Sequence, residues 1–354
     1  MRKLILLITS FLLMASTQNS QAQSEAPADS TAGGEEGINM TDVIGHHISD
    51  AHSWSIFAYT NSEGEEVECK ISLPVMAYYD GQFLFTLSSS FDDGATVEKG
   101  VNTYYLKHEK LYVRNGSGEE VRPFDFSITR NVVSMFISVA ILLLLFVGAA
   151  RSYKNSLVPR GKASLAEMLV LFVKDIADEQ IGRRKSARYV PYLLTLFYFI
   201  WFNNLIGLVP FFPGSSNLSG NIAFTSILAV FTFIVTNFNG TRHYWKHTLV
   251  MPGVPFLMKI ILVPIEIITL FTRPFTLMIR LFANVTGGHI IIISLISMIF
   301  IMKTYVMVAP SMLLALMIFV LELIFGALQA YIFTLLSALY IGLAVDDGHE
   351  EQTA

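Results

Sequence analysis

The stretch from Ser311 to Val345, near the C-terminus, limits the possible folds of this chain more than any other segment. It is a nearly unbroken apolar run of 35 residues. As an α-helix it would be about 52 Å long at about 1.5 Å per residue, whereas the hydrocarbon layer of a membrane is only about 30 Å thick. We therefore expect a membrane helix that lies strongly tilted or bent. The composition agrees, because 53% hydrophobic and 15% charged residues are too apolar for a soluble domain of this size.

Four other apolar segments predict further membrane helices. They lie at about residues 131–150, 190–211, 221–238 and 255–302. Pro264 and Pro274 interrupt the last segment, and proline disturbs a helix because it lacks an N–H group. The last two segments, joined near residues 303–310, predict a hairpin of two long tilted helices. An amphipathic helix is expected over residues 164–180, between the first two spans.

Basic residues set the predicted orientation of these spans. Arginine and lysine cluster between Arg151 and Arg188, and more follow the third span. The positive-inside rule places such segments in the cytoplasm. The prediction is an all-α polytopic membrane domain over residues 126–346 with five mature spans, followed by a cytoplasmic tail at residues 347–354. A bacterial inner membrane is the expected location.

The N-terminal third predicts a different kind of structure. Residues 1–22 have the basic start and apolar core of a secretory signal, and residues 23–38 have the composition of a disordered linker. Residues 39–125 predict a small, partly β extracytoplasmic domain, in which Asp80-Gly81 between alternating apolar runs marks a hairpin. The single cysteine cannot form an intrachain disulfide. Ordinary surface histidines, rather than a metal site, explain the group His46, His47 and His52.

Arg280 is the residue that most constrains function. Arginine cannot shed its charge in a protein, and its burial in a membrane costs about +2.5 to +3.5 kcal/mol even on the most lenient insertion scale. A packed structural ion pair would account for it, and so would an ion pathway in which an anionic group comes to meet it. The other polar residues of the predicted hairpin favour the pathway.

These polar residues fall at two depths if the hairpin is antiparallel. His289 and Glu322 lie at nearly equal sequence distances from a turn centred near residue 305, and so do Arg280 and Gln329. Asn284 follows Arg280 by four residues and shares its face. Histidine and carboxylate groups titrate in a range suited to proton relay.

Further residues extend the pattern toward the cytoplasm and toward neighbouring helices. Glu266 belongs to a stripe in which Lys259, Glu266, Arg273 and Arg280 recur every seven residues, and it could exchange protons with cytoplasmic water. Gly287 and Gly288 remove bulk near the arginine, so that another helix could approach. An acid on the inner side, a fixed cation in the middle and a His–carboxylate pair on the outer side indicate two separated polar routes rather than a continuous pore.

The same residues resemble a known family. Glu266, Arg280-Leu-Phe-Ala-Asn284 and His289, followed by Glu322-Leu-Ile-Phe-Gly-Ala-Leu-Gln329-Ala-Tyr-Ile-Phe, closely resemble subunit a of F-type ATP synthases. Asn203-Asn204-Leu-Ile-Gly-Leu-Val-Pro210 resembles the second-span motif of that family.

The resemblance implies a non-catalytic membrane stator that faces a rotating ring of c subunits and assembles with the peripheral-stalk subunit b and other ATP synthase subunits. Arg280 would be the essential arginine that pairs with the ring carboxylate. Asn284, His289, Glu322 and Gln329 would line the extracytoplasmic half-channel, and Glu266 would belong to the cytoplasmic one. No cofactor is implied.

Two positions depart from familiar bacterial members of the family. Those members usually carry the acid on the first helix of the hairpin and the histidine on the second, whereas His289 and Glu322 are exchanged here. Gly207 stands where many of them carry an aspartate, so the acid at the start of the outer route is missing from that position.

Other function classes fit the sequence less well. The chain has no Gly-x-x-x-x-Gly-Lys-Ser/Thr phosphate loop, which argues against ATP binding by this chain, and no basic aromatic surface for nucleic acid. A secondary transporter with a buried ion pair is the alternative function, although the internal repeat common in transporters is not visible. A membrane-anchored sensor would not explain polar residues at matched depths. Whether the coupling ion is a proton or sodium depends on the ring's binding site.

Overall fold

The structure is a computed structural model, and its description covers most of the chain after residue 49. The described residues are 50–60, 66–107, 109–116, 118–155, 161–209, 214, 216–251, 255–302 and 305–346. The predicted signal peptide, the linker, His46, His47 and the C-terminal tail lie outside them.

Within the described residues, nine short strands lie before the helix that begins at Arg130. They are β1 (Ser53–Thr60), β2 (Glu66–Ser72), β3 (Pro74–Tyr79), β4 (Gln82–Leu87), β5 (Val97–Lys99), β6 (Asn102–Lys107), β7 (Lys110–Arg114), β8 (Glu120–Val121) and β9 (Phe124–Asp125). They form three antiparallel sheets with the orders β1-β2, β4-β3-β9 and β5-β6-β7-β8. A small apolar core that includes Val75, Tyr104 and Val113 joins the second and third sheets.

The predicted hairpin at Asp80-Gly81 is confirmed. Strands β3 and β4 pair from Pro74 opposite Leu87 to Tyr79 opposite Gln82, which leaves two residues in the turn. Both have positive φ, at 45° for Asp80 and 75° for Gly81. This is the backbone of the two-residue turn that Asp-Gly favours, because it matches the twist of the strands.

Eight α-helices make up the rest of the described chain. They are α1 (Arg130–Asn155), α2 (Lys162–Ile181), α3 (Arg183–Ser186), α4 (Val190–Leu208), α5 (Ile222–Phe238), α6 (Arg242–Val250), α7 (Phe256–Met302) and α8 (Val308–Val345). Among the described residues, α1, α4, α7 and α8 are long and apolar enough to cross a membrane. A fifth crossing follows if α5 and α6, bent by 102° at a short break, count as one broken span. The described part of the chain is therefore mostly helical, with four or five candidate spans and small sheets before them.

The long hairpin has the predicted elements. Helix α7 has 47 residues and α8 has 38, and a short 3₁₀ turn at Tyr305–Met307 precedes α8. The expectation that Pro264 and Pro274 interrupt the first helix was wrong, because α7 continues through both prolines. Proline is tolerated within membrane helices, where neighbouring groups compensate for the lost hydrogen bond.

Helix α6 was not predicted from the sequence. It begins after Thr241, whose side-chain oxygen accepts a hydrogen bond from the backbone N–H of Tyr244 at 3.2 Å. This is a standard helix cap. Its residues are mainly polar and basic, so the apolar pattern that revealed the spans gave no signal here.

Helix α4 lies at the centre of the helical core. Its buried side chains Leu193, Phe197 and Ile200 pack with residues of α2, α5, α7 and α8 in one apolar cluster. On α7 the buried positions Leu277 and Leu281 face this cluster, whereas Phe275 and Ile279 are exposed. The inner face of α7 is thus fixed against the core, and its opposite face is uncovered.

Candidate polar site in the long hairpin

Arg280 lies on α7 at the border between the buried and the uncovered face. It is half-buried, next to the buried Leu281 and the exposed Ile279. No ion pair or side-chain hydrogen bond joins it to another of the described residues. Within that part of the chain, the guanidinium is therefore not locked to a fixed acid.

Asn284 and Gln329 connect α7 to α8 close to the arginine. The Asn284 side-chain N–H donates to Gln329 Oε1 at 2.9 Å. Gln329 is fully buried, while Asn284 is exposed. Sequence spacing placed Arg280 level with Gln329, whereas the observed hydrogen bond of Gln329 is to Asn284, one helical turn further along α7.

His289 and Glu322 are brought together, as the spacing predicted. His289 Nε2 lies 3.5 Å from Glu322 Oε1, and the two side chains are 20% and 8% exposed. The distance is longer than that of a strong charge-assisted hydrogen bond, which is about 2.7 to 2.9 Å. The two groups are adjacent without being tightly bonded.

Gly288 explains how Glu322 reaches this position. A Cβ atom at residue 288 would lie 2.8 Å from both Cδ and Oε1 of Glu322. At Gly287 a Cβ would meet nothing within 4 Å. The two glycines therefore differ: Gly288 admits the carboxylate of this chain's own α8, and Gly287 leaves an open surface.

A cavity lies beside the His289–Glu322 pair. It is lined by Asn203, Asn204, Gly207, Leu208, Ser216, Asn217, Leu218, Ser219, Asn284, Val285, His289, Glu322, Phe325 and Gly326. About 20 Å³ is open to the centres of water molecules, which is room for about one ordered water.

Several polar atoms around this cavity are buried without a hydrogen-bond partner among the described residues. They are Ser216 Oγ, both side-chain polar atoms of Asn217 and both carboxylate oxygens of Glu322. Buried polar groups are normally hydrogen-bonded to protein or to water. The cavity therefore offers both the room and the polar partners that a buried water molecule needs.

Asn203 and Asn204, part of the second-span motif, also belong to this site. Asn204 Nδ2 donates to the backbone oxygen of Gly326 at 3.3 Å, and Ser219 Oγ donates to Asn204 Oδ1 at 2.7 Å. A Cβ atom at Gly326 would lie 3.3 Å from Asn204 Cβ. The face of α8 that carries Glu322, Gly326 and Gln329 is therefore the face that packs on α4.

The segment between α4 and α5 contributes residues to this site that were not predicted from the sequence. Ser216, Asn217 and Ser219 are all buried and line the cavity. The signal available in the sequence was a cluster of small polar residues, Ser-Ser-Asn-Leu-Ser-Gly-Asn, between two apolar spans. In a segment without charge, such side chains can enter the protein to bind buried partners.

Glu266 lies toward the other end of α7 and is paired with Arg273. Arg273 Nη2 is 3.7 Å from Glu266 Oε1, and both side chains are partly exposed. The Arg273 guanidinium also lies over the ring of Tyr340 at 5.5 Å. The pair shows that the seven-residue register survives Pro274, since two residues seven apart remain on one face.

A second cavity opens next to Arg273. It is lined by Thr232, Phe233, Thr236, Asn237, Tyr244, Leu270, Arg273, Pro274, Leu277 and Tyr340. Thr236 Oγ1 is buried there without a hydrogen-bond partner among the described residues. Two separate cavities, each with some polar lining residues, therefore lie along α7 in the described part of the chain, with Arg280 between them in sequence.

The fold and the site together define a class of protein. A polytopic helical membrane domain holds an arginine in a long span, with a His–carboxylate pair beside a cavity on one side and an acid–arginine pair on the other. These are features of an ion-translocating membrane protein.

Comparison with known proteins gives the family. A family model described as "ATP synthase A chain" matches residues 132–342. The chain is 48% identical over 241 residues to ATP synthase subunit a of Chloroherpeton thalassium, which covers 66% of this chain and 70% of the relative. It is 44% identical over 251 residues to ATP synthase subunit a 2 of Chlorobaculum tepidum, an alignment that covers 66% of this chain and 70% of the relative. It is 43% identical over 233 residues to ATP synthase subunit a of Myxococcus xanthus, and this alignment covers 64% of this chain and 75% of the relative. The chain belongs to the ATP synthase A chain family.

Family membership favours the first function hypothesis over a secondary transporter. The chain is a multi-pass membrane protein and a proton-translocating member of the membrane sector of an ATP synthase. A second family model, a domain of unknown function, matches residues 43–126.

Proposed function

We propose that this chain is the non-catalytic proton-conducting stator of its complex, in which Arg280 faces the ion-binding carboxylate of a rotating c-subunit ring. The observation that carries the proposal is the position of Arg280. It is a permanent cation in a membrane helix, and no partner for it exists among the described residues. A charge of this kind is stabilised when an anion is supplied from outside the chain.

The uncovered face of the hairpin supports contact with a ring. Ile279 on α7 and Phe325 and Leu328 on α8 are between 41% and 50% exposed in the chain alone. Ring helices packed on this face would cover these side chains and bring a carboxylate to the arginine. The peripheral-stalk subunit b and the other ATP synthase subunits are the remaining expected partners.

The two cavities would supply the two half-channels. The outer one would use Asn284, His289, Glu322 and Gln329, and the inner one would use Glu266 and the polar residues around Arg273. Arg280 passes no proton because it does not titrate. It therefore prevents protons from crossing directly between the two cavities, so that they must travel on the ring.

Contacts at the ends of the helices support the proposed topology of five spans. Lys185 Nζ donates to the backbone oxygen of Val345 at 2.6 Å, and the backbone N–H of Thr241 donates to the backbone oxygen of Ala344 at 2.8 Å. Three segments assigned to the cytoplasm thus lie together. The strands before α1 would then be extracytoplasmic in a bacterial inner membrane.

The test is Arg280→Ala in the assembled complex, measured in inverted membrane vesicles. ATP-driven acidification and proton-driven ATP synthesis should be lost, while ATP hydrolysis by the soluble part continues. Arg184→Ala, at an exposed arginine in α3, is the matched control and should pump normally. Normal acidification in the Arg280 variant would refute the proposal, and repeating the assay with and without sodium identifies the coupling ion.

A further inference from the structure

The outer cavity has no acid at the position where the family resemblance expects one. A Cβ atom at Gly207 would lie 2.8 Å from the backbone oxygen of Ser216. A side chain there would collide with backbone, so this arrangement does not accommodate an aspartate at residue 207. A proton that reaches the His289–Glu322 pair must therefore be collected elsewhere.

Asp50 is an acid that lies beside the first turn of α1. It directly precedes the region of strands β1 to β9, which we call the β domain. Thr129 Oγ1 donates to Asp50 Oδ2 at 2.9 Å, and the backbone N–H of Asn131 donates to Asp50 Oδ1 at 3.2 Å. The backbone N–H of Arg130 donates to the oxygen of Ala51 at 3.0 Å. The β domain is thus bonded directly to the first turn of the first membrane helix.

Several charged groups lie close to Asp50. Arg130 on α1 and His52 before β1 act on it electrostatically, Glu109 acts on both of these residues, and Asp125 on β9 bonds His52. Burial raises the pKa of Asp50, and the hydrogen bonds from Thr129 and Asn131 oppose that rise only in part. Asp50 nevertheless keeps some exposure to solvent, so water reaches it.

A polar face on α1 leads inward from this acid. Asn131, Ser134 and Ser138 are all buried, and their spacing places them on one side of the helix. Asn131 Oδ1 has no hydrogen-bond partner among the described residues. From Asn131 to Ser138 the helix descends about 10 Å at about 1.5 Å per residue.

The polar face ends at the outer cavity. Ser138 Oγ donates to Asn203 Oδ1 at 2.9 Å, and Asn203 lines the cavity that also contains His289 and Glu322. Arg130 acts electrostatically on both Asp50 and His289. The buried polar side chains of α1 thus lie between Asp50 and the cavity that contains the pair.

We infer that Asp50 is the inlet acid of the outer half-channel, and that it passes protons along the polar face of α1 to the His289–Glu322 pair. The inference rests on the proposed function. In the inward step the Asp50 carboxylate takes a proton from a hydronium ion, which leaves water. It then releases that proton to water held along Asn131, Ser134 and Ser138, which restores the carboxylate. The β domain thereby contributes a group to ion conduction that the membrane domain lacks.

The experiment measures passive proton flux through the membrane sector in vesicles stripped of the soluble ATPase, at a series of pH values on the extracytoplasmic side. Asp50→Asn keeps one acceptor oxygen for the backbone N–H of Asn131, and its amide N–H can donate to the Thr129 hydroxyl in place of the bond that this hydroxyl donates to Asp50, but it does not exchange protons. Flux per chain in the membrane should fall by about tenfold or more, and its dependence on outside pH should change shape. Glu120→Gln, at an exposed acid of the same domain, should behave as the unmodified protein.

A purely structural role for Asp50 predicts different results. Unchanged flux in Asp50→Asn would overturn the inference, and so would a loss of flux with an unchanged profile against outside pH. If Asp50→Asn lowers the amount of chain in the membrane, Asp50→Glu gives the decision, since it restores flux only if the carboxyl group itself is needed. Absence of flux in unmodified vesicles would instead refute the proposed function, which separates the two failures.

Discussion

At the residue scale, the outer site depends on the missing side chain at position 288. The Glu322 carboxylate occupies the space that a Cβ atom of residue 288 would fill, and this places it 3.5 Å from His289. The pair of titratable groups thus depends on a residue that does not titrate.

Gly288→Ala should therefore slow proton flux several-fold without removing any polar group. The added Cβ would lie 2.8 Å from the carboxyl carbon of Glu322, so the carboxylate must move away from His289. Gly148→Ala on α1 is the comparison, because its Cβ meets nothing within 4 Å and it lies outside the site. Passive proton flux, measured in vesicles stripped of the soluble ATPase, should be lower in Gly288→Ala than in the comparison variant. Equal flux would show that the close approach of Glu322 to residue 288 does not affect proton conduction.

At the element scale, the crossing of α2 and α8 fixes the C-terminal end of the hairpin. A Cβ atom at Gly342 on α8 would collide with the backbone oxygen of Gln180 on α2. Backbone cannot yield as a flexible side chain can, so the two helices touch here only because residue 342 is glycine. The contact holds the amphipathic helix predicted at residues 164–180 against the end of the last span.

Gly342→Ala should lower stability by more than the usual cost of overpacking, which is about 1 to 3 kcal/mol. Thermal unfolding of the detergent-solubilised protein measures this loss. Gly148→Ala on α1 is the matched control, since a Cβ there meets nothing within 4 Å, and alanine in a helix gains about 0.5 to 1 kcal/mol over glycine. Similar unfolding temperatures for the two variants would contradict the proposed crossing.

At the scale of the whole molecule, the β domain joins the membrane domain through titratable groups. Burial alone would lower the pKa of His52, but the hydrogen bond and charge of Asp125 outweigh it and raise that pKa above the ordinary 6.5. For Asp125, burial alone would raise the pKa, but the hydrogen bonds from His52 and Ser127 lower it below 3.8. The pair lies 3.3 Å apart and connects the start of the described chain to β9.

The sign of the pH dependence follows from these shifts. The contribution of His52 to stability is fully present below 6.5 and is lost as pH rises through its raised folded-state pKa. The contribution of Asp125 is present above 3.8 and is lost as pH falls through its lowered pKa. We therefore expect the domain to be more stable at mildly acidic than at alkaline pH.

Proteolysis in urea, following fragments of residues 50–125 from the purified full-length protein, measures this effect. The urea midpoint should be higher at about pH 5.5 than at about pH 8. In His52→Gln the difference between the two pH values should shrink, because the titrating partner of Asp125 is gone. A difference that persists unchanged would assign the pH dependence to other groups.

The sequence alone determined the class of fold and identified the polar residues of the long hairpin. The apolar run from Ser311 to Val345 required a long membrane helix, because chain length and bilayer thickness are both known. His289 and Glu322 lie at nearly equal sequence distances before and after the turn of the hairpin. Because the two helices are antiparallel, residues at equal distances from the turn lie at the same level. The Asp-Gly turn was readable for a similar reason, since its backbone conformation is a local property.

Only the tertiary structure decided which of these groups touch. Arg280 and Asn284 share one face of α7 but lie about 6 Å apart along its axis, so the depth and tilt of α7 against α8 decide which of them bonds Gln329. Helix tilt and rotation are set by packing on other segments, and here α4 and the segment before α5 supply that packing. The hydrogen bonds of Asp50 to Thr129 and Asn131 connect residues that are separated by 79 and 81 positions in the chain. No local sequence pattern predicts such a contact.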